Sequence, residues 1–209
     1  MTTPDDTLAP LRDYVAHMTR IADTLGTPAG LEQARALLAQ LVARDDWLPE
    51  AFAQPHPQFY QQYLLHGDPL ERFSVVSFVW GPGQRTPIHD HCTWGLIGML
   101  RGAERGQRYT AAADGSVHPD GEAALLEPGD IELVSPATGD WHVVENAYAD
   151  RVSISIHVYG GNIGAIARHV YDPAAGVIKP FVSGYSAPVS PNLWDRSAQV
   201  RATLAGGKA

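Results

Sequence analysis

The segment from Val152 to Tyr159 alternates strictly between apolar and polar side chains. Aliphatic residues occupy its even positions, and Ser153, Ser155, His157 and Tyr159 occupy its odd ones. Because side chains alternate between the two faces of a strand, this pattern predicts a β-strand with one apolar and one polar face. Side chains two residues apart lie about 6.6 Å from each other on one face. Ser155, His157 and Tyr159 can therefore form a hydrogen-bonded row inside a site, although a solvent-facing side of the strand is the alternative.

Further β-type runs lie on both sides of this strand. After Glu71, β-branched and aromatic residues come in short runs that Gly, Pro and Asp separate, which is typical of a barrel or a sandwich. The predicted strands are 73–80, 95–101, 104–110, 123–127, 130–135, 142–146, 152–159, 167–171 and 177–181.

The chain before Glu71 has helical periodicity instead. Apolar residues recur at every third or fourth position over 8–25, and 31–42 is rich in Ala and Leu, so two helices are predicted. A third, short helix is predicted around 58–65. The prolines and small residues after Ser183 predict an irregular segment that is frayed at its end.

Length and composition favour one compact unit. The chain has 209 residues, and we expect a single domain over 1–209, with a helical part at about 7–66, a barrel at about 71–182 and an irregular tail at 183–209. A net charge of −8 without a basic cluster argues against nucleic acid and anionic lipid as partners. The lone Cys92 forms no internal disulfide, and the first residues lack the features of a signal peptide, so a cytoplasmic location is expected.

Three histidines are candidate metal ligands. His89 and His91 are two residues apart, so in an extended segment their imidazoles share a face, and His142 follows about fifty residues later. Imidazole suits Fe, Zn, Cu and Ni alike, so these ligands do not select one metal.

The surroundings of these histidines resemble the two conserved motifs of the cupin superfamily. The matching residues of the two motifs are Gly83, His89, His91 and Gly102, and then Gly129, Pro136, Gly139, His142 and Asn146. The resemblance implies a mainly β fold, a cupin double-stranded β-helix (jelly-roll) barrel with N-terminal α-helices added here. Cupins usually supply a Glu ligand four residues after the second histidine, where this chain has Gly95. The predicted metal group is therefore three neutral imidazoles, which leave a divalent ion its full charge and favour an anionic ligand such as a thiolate.

The Ser-x-His-x-Tyr strand after the third histidine resembles the thiol dioxygenases, cupins related to cysteine dioxygenase. The resemblance covers roughly residues 60–171. It implies ferrous iron bound by His89, His91 and His142. It also implies a catalytic Tyr159 whose hydroxyl orients a bound group or donates a proton near the oxygen site, with Ser155 and His157 continuing the hydrogen-bonded row. The cysteine that crosslinks to this tyrosine in mammalian-type members would stand at Gly95, so no crosslink is expected.

The substrate predicted from this resemblance is 3-mercaptopropionate. Mammalian-type members hold the substrate carboxylate with an Arg that is replaced here by Gln62, and the chain resembles 3-mercaptopropionate dioxygenases, in which an Arg of a later strand takes this role. By this resemblance Arg168 is the residue in that position. Its guanidinium fork can bind a carboxylate at two points, which suits a short thiol acid. The implied enzyme oxidises the thiol acid with dioxygen to 3-sulfinopropionate, in an oligomeric state that the sequence leaves open.

Three other functions remain open. A cysteine or broad-specificity thiol dioxygenase differs only in its substrate. A zinc-binding cupin sensor domain needs the three histidines but not the row of Ser155, His157 and Tyr159. A metal-dependent sugar isomerase would normally keep the carboxylate that is missing at Gly95.

Overall fold

The structure is a computed structural model, and it describes residues 6–112 and 114–206. Two helices and two antiparallel sheets make up most of it. Helix α1 (Ala9–Ile21) continues into a 3-10 turn, and α2 (Pro28–Val42) begins where the Thr27 side chain accepts a hydrogen bond from the Gly30 N–H. Both coincide with the first two predicted helices. Within residues 6–112 and 114–206, no helix is both long and apolar enough to cross a membrane.

Eleven strands are present in the described residues. They are β1 (Gln61–Gly67), β2 (Ser74–Trp80), β3 (Ile88–His89), β4 (Gly95–Arg101), β5 (Glu104–Ala111), β6 (Val117–Leu126), β7 (Ile131–Val134), β8 (Trp141–Asn146), β9 (Ser153–Tyr159), β10 (Arg168–Asp172) and β11 (Val177–Phe181). One sheet has the order β1-β2-β9-β4-β7, and the other has the order β11-β10-β3-β8-β5-β6. All their pairings are antiparallel. This mainly β double-stranded β-helix confirms the predicted fold class.

Three predictions differ from the structure: the third helix, the irregular tail, and the strand at 123–127, since β6 already begins at Val117. Instead of the third helix at 58–65, residues Gln61–Gly67 form β1, which pairs with β2 at the edge of the first sheet. Gln and Leu are compatible with a helix, but pairing with a neighbouring strand overrides such local preferences. The tail is not irregular throughout, since α3 spans Ser197–Gly206. Residues 207–209 and 1–5, which the predicted domain also includes, lie outside the described part.

The two faces of β9 serve two different cores. Ile154, Ile156 and Val158 belong to a buried cluster that also contains the apolar faces of α1 and α2. On the opposite face, Tyr159 packs with β2 residues such as Val76 in a second buried cluster. The helices therefore cover the outside of the first sheet, while the odd-numbered face of β9 looks into the barrel.

Candidate metal centre and adjoining pocket

The three predicted ligands meet inside the barrel. The ring centroids of His89, His91 and His142 are 4.8 to 4.9 Å apart, and one ligand atom from each lies within 4.8 Å of the others. His89 and His142 are direct partners across the pairing of β3 with β8. All three side chains are buried. The pairing of β3 with β8 therefore brings the three imidazoles into one compact group.

The environment keeps these imidazoles neutral. Burial lowers the pKa of His89 to about 4, although its hydrogen bond to the Pro87 carbonyl acts in the opposite direction. Burial also holds the pKa of His91 and of His142 well below the usual range, and the neighbouring imidazoles add to this effect. Neutral imidazole is the form that binds metal. The group thus has its ligand nitrogens ready at neutral pH.

The surrounding hydrogen bonds also fit a metal site. Nδ1 of His89 lies 3.1 Å from the Pro87 carbonyl oxygen and donates to it, which leaves Nε2 as the unprotonated ligand atom. Nδ1 of His91 is buried without a hydrogen-bond partner in the part of the chain that the structure describes. Such an orphaned nitrogen is unfavourable unless the ring is engaged in another way. The three histidines can therefore hold a divalent ion.

Two aspartates fix the segment that carries the first two histidines. Oδ2 of Asp140 accepts from the backbone N–H groups of His91 and Cys92, both at 3.0 Å. Asp90 turns away from the metal group and binds the backbone N–H and Nδ1 of His169, at 2.7 and 2.8 Å. Asp90 is thus a structural acceptor, as expected from its position between two inward-facing residues.

Ser155, His157 and Tyr159 form a continuous row. Ser155 Oγ lies 2.8 Å from Nε2 of His157, whose Nδ1 lies 2.8 Å from the hydroxyl oxygen of Tyr159. All three residues are buried, so the solvent-facing alternative for this side of β9 is wrong. Burial lowers the pKa of His157 to about 3 and raises that of Tyr159. The Tyr159 ring stacks on His91 with centroids 5.4 Å apart, which brings the row to the metal group.

Gly95 provides the space for Tyr159. The two residues face each other across β4 and β9, and a Cβ at position 95 would lie 2.9 Å from two carbons of the Tyr159 ring. It would also lie 3.0 Å from a methyl group of Val134. A larger side chain in this place, whether a carboxylate or a thiol, therefore conflicts with the present position of the tyrosine.

Arg168 lies in a cavity beside the metal group. Its guanidinium stacks on Phe181, with 4.6 Å from Cζ to the ring centroid, and Nη2 donates to Ser183 Oγ at 2.5 Å. The side chain is 4% exposed, and its Nε has no hydrogen-bond partner within residues 6–112 and 114–206. Its positive charge contributes to lowering the pKa of His89 and opposes the rise in the pKa of Tyr159.

The cavity has a volume of about 180 Å³ and one strong charge. The residues that line it are Tyr60, Gln62, Phe78, Thr86, Pro87, His89, Tyr159, Arg168, Val170, Phe181 and Ser183. None of these lining residues is acidic. A small anion with a short apolar part matches a space of this kind.

Gln62 reaches the same cavity from β1. Its Nε2 donates to the Gly184 carbonyl at 2.5 Å, and its backbone N–H donates to Ser186 Oγ at 2.8 Å. Segment 183–186, predicted to be part of an irregular tail, thus packs against β1 beside the cavity, which Ser183 lines. The sequence contains no local sign of this contact, because it joins residues far apart in the chain.

Aromatic residues support the row from behind. The Phe78 ring lies against His157 with centroids 4.1 Å apart, and Trp80 Nε1 donates to Ser155 Oγ at 3.3 Å. Both residues were predicted only as members of a strand. Because Phe78 and Trp80 alternate with Val79, the sequence predicts that they share one face of β2. It does not predict that β2 pairs with β9 and brings them beside the row.

No protein-family model matches this chain. Among solved structures, it is similar to an uncharacterized conserved protein with a double-stranded beta-helix domain from Klebsiella pneumoniae, at 20% identity, 55% coverage of this chain and 89% of that chain, and a TM-score of 0.44. It is similar to a cupin superfamily protein from Desulfitobacterium hafniense at 13% identity, 55% and 90% coverage, and a TM-score of 0.42. A Cupin 2 conserved barrel domain protein from Salinispora arenicola has 19% identity, 55% and 86% coverage, and a TM-score of 0.40.

Likenesses of this size carry no information on chemistry. The strand order and pairing of this chain are themselves those of a double-stranded β-helix. Together with the three buried imidazoles, they define a cupin-fold protein with a histidine group able to bind a metal ion.

Proposed function

We propose that this protein is a non-haem iron(II) thiol dioxygenase that oxidises 3-mercaptopropionate with dioxygen to 3-sulfinopropionate. Both atoms of dioxygen are added to the sulfur, which is oxidised by four electrons while the dioxygen is reduced. The observation that carries the proposal is one small cavity lined by the buried Arg168, by His89 of the three neutral imidazoles and by Tyr159 of the Ser-His-Tyr row. When bound, ferrous iron would supply the redox chemistry that joins dioxygen to a thiolate.

Arg168 binds the substrate carboxylate in this proposal. Its Nε lacks a hydrogen-bond partner in the described structure, while Phe181 and Ser183 hold the guanidinium in place. A buried guanidinium without a counter-ion is unfavourable, so an entering carboxylate gains a charge-assisted hydrogen bond at this site. Fixing the carboxylate directs the thiol end of a short acid toward His89, on the neighbouring wall of the cavity.

Tyr159 donates a hydrogen bond toward the reacting atoms in this proposal. Its raised pKa keeps the phenol protonated, and His157 fixes the position of its oxygen. A zinc-binding sensor domain would have no need for this buried row. Because the lining residues offer no carboxylate for an ammonium group, the cavity suits 3-mercaptopropionate better than cysteine.

Oxygen consumption by the iron-loaded protein tests this proposal. The chain is reconstituted anaerobically with ferrous iron, its metal content is measured, and oxygen uptake is recorded with 3-mercaptopropionate and with cysteine. We expect uptake that strongly favours 3-mercaptopropionate and a sulfinate product that carries both atoms of isotope-labelled dioxygen. The His142→Ala variant is the control that should neither retain iron nor consume oxygen.

The alternatives predict different results in the same experiment. Equal or faster uptake with cysteine would indicate a cysteine or broad-specificity enzyme. No uptake with either thiol at full iron loading would contradict the dioxygenase proposal and favour a sensor or an isomerase.

A further inference from the structure

A second group of metal-ligand side chains lies on the reverse side of the segments that carry the three histidines. It consists of Asp90, Cys92 and His169, and one ligand atom from each lies within 4.8 Å of the other two. Asp90 and Cys92 flank the buried His91 in sequence, and His169 follows Arg168, which lines the cavity. We call Asp90, Cys92 and His169 the outer site.

Hydrogen bonds to the backbone hold the outer site in shape. The Asp90 N–H donates to the His169 carbonyl at 3.1 Å, and the His169 N–H donates to Oδ1 of Asp90 at 2.7 Å. The Cys92 N–H donates to Oδ2 of Asp140 at 3.0 Å, and Cys92 adopts a left-handed conformation with a φ of 56°. The three ligand atoms therefore project from a framework that is already fixed.

Nδ1 of His169 faces two neighbours that it cannot satisfy together. It lies 2.8 Å from Oδ2 of Asp90 and 3.8 Å from Sγ of Cys92. As a donor, this nitrogen serves the carboxylate but cannot accept from the thiol, and as an acceptor it serves the thiol but faces the lone pairs of the carboxylate. A cation between the three atoms removes this conflict, because each of them can then give it an electron pair.

The distances between these atoms are close to those of a tetrahedral metal site. With bonds from zinc of about 2.3 Å to sulfur, about 2.0 Å to nitrogen and about 2.1 Å to oxygen, sulfur and nitrogen lie about 3.5 Å apart, and nitrogen and oxygen about 3.4 Å apart. The outer site departs from these values by only about 0.3 and about 0.6 Å. Small rotations of the half-exposed His169 and the exposed Cys92 side chains can supply such shifts.

The outer site favours a different kind of ion from the three histidines. A thiolate and a carboxylate together neutralise a divalent ion, whereas three imidazoles leave it its full charge. Thiolate sulfur combined with imidazole suits zinc and similar thiophilic ions rather than magnesium or calcium. Because Cys92 is exposed, such an ion can enter from solvent, and the thiol proton is released to solvent when the sulfur binds.

We propose that the outer site binds a thiophilic divalent cation such as zinc through Oδ2 of Asp90, Sγ of Cys92 and Nδ1 of His169, with water as the fourth ligand. The ion crosslinks the segment of the first two metal histidines to β10, which also carries Arg168. Oδ1 of Asp90 keeps its hydrogen bond to the His169 backbone, so the strand pairing is unchanged. This binding goes beyond the proposed function and does not depend on it.

Cobalt(II) is the probe that tests the outer site in the full metal-free chain. Its bond to a thiolate gives a charge-transfer band in the near ultraviolet that histidine ligands do not give. Cys92 is the only cysteine of the chain, so it is the only source of this band. We expect two equivalents of cobalt to bind and the band to accompany one of them. His142→Ala, which disrupts the inner group, should lose the other equivalent and keep the band.

Variants of the outer site separate its ligands from the lone thiol. Cys92→Ser should lose the band and one equivalent of cobalt while the other equivalent still binds. His169→Gln should lose the band as well, although it retains the thiol. The matched control is His118→Gln, at an exposed histidine that contacts Ser116, and it should keep both equivalents and the band. Saturating zinc should protect wild-type Cys92 from alkylation by iodoacetamide, and this protection should be lost in His169→Gln.

Three results would overturn the proposal. They are a wild-type chain that binds cobalt without the band, a band that persists in His169→Gln, and a band per chain that grows with protein concentration, which would indicate an ion bridging two chains. If the outer-site variants do not fold, alkylation of the wild-type chain decides, because a Cys92 that zinc leaves unprotected contradicts the proposal.

Discussion

At the scale of single residues, Arg168 is the group that we propose binds the substrate carboxylate. Arg168→Met removes the charge while keeping similar bulk, and we expect KM for 3-mercaptopropionate to rise about tenfold to a hundredfold, as a lost charge-assisted hydrogen bond is worth about 1.5 to 3 kcal/mol. Arg168→Lys should recover only part of this loss because the two-point fork is missing. Steady-state kinetics measure the effect.

The control for this substitution is Arg105→Met. Arg105 lies on β5, is half exposed and pairs with Glu145, away from the cavity. It should leave KM unchanged. A thiol of the same length without the carboxylate should be an equally poor substrate for wild type and Arg168→Met, and an unchanged KM for the acid in Arg168→Met would exclude the anchoring role.

Gly95 determines the position of Tyr159. In Gly95→Ala the added Cβ would lie 2.9 Å from the Tyr159 ring and displace it, so we expect kcat to fall, as it should in Tyr159→Phe, which lacks the hydroxyl, while iron is retained. Overpacking of this kind also destabilises the fold by about 1 to 3 kcal/mol. Metal analysis, kinetics and thermal unfolding check the three parts. Gly26→Ala is the control, since its Cβ meets nothing within 4 Å, and full activity in Gly95→Ala would remove the close contact from the explanation.

At the scale of elements, α2 stabilises the first sheet from outside the barrel. Leu38 is fully buried and packs so closely on β4 that a Cβ added at Gly98 would lie 3.0 Å from its Cγ. Leu38→Ala should lower the free energy of unfolding by about 2 to 5 kcal/mol because it leaves a cavity. Iron affinity should be unchanged, because the histidines lie on the other side of the sheet.

Denaturant unfolding and a chelator competition assay measure these two quantities. Leu70→Ala, at a position that is 72% exposed, is the matched control and should change stability by less than about 0.5 kcal/mol. A large loss of iron affinity in Leu38→Ala would show that the helix and the site are coupled.

The element predictions succeeded where local patterning dominates. The alternation in β9 and the three-and-four periodicity of α1 and α2 are repeated over whole elements, and the structure follows them. The segment that became β1 has a composition compatible with a helix, and only its pairing with β2 makes it a strand. A two-residue strand such as β3 has too little pattern to be recognised at all.

At the scale of the whole molecule, buried histidines make stability dependent on pH. The folded-state pKa of His157 is about 3 and that of His89 about 4, both below the value near 6.5 of an unfolded chain. As the pH falls below 6.5, the unfolded chain binds protons before the folded chain does. The free energy of unfolding therefore decreases from about pH 6.5 down to about pH 3 to 4. Each unit of difference corresponds to about 1.4 kcal/mol at most.

Equilibrium unfolding of the metal-free chain at several pH values measures this loss. His157→Gln should reduce the pH dependence, and exposed His17→Gln should not. A free energy of unfolding that does not change between neutral pH and pH 4 would contradict neutral, buried imidazoles.

Part of the candidate site could be predicted from spacing along the chain, whereas the grouping with His142 and the role of Arg168 were implied by the resemblance to the cupins and the thiol dioxygenases. Side chains two apart share a face whatever the rest of the fold, so His89 with His91, and Ser155 with His157 and Tyr159, were predicted as neighbours. Two other contacts depend on which strands pair and how closely they pack: that of Gly95 with Tyr159 and that of Arg168 with Ser183. Such contacts join distant parts of the chain, and no local periodicity encodes the distance between them. The alternation of side chains is a property of the backbone, whereas the close fit around Tyr159 exists only after the two sheets have closed into a barrel.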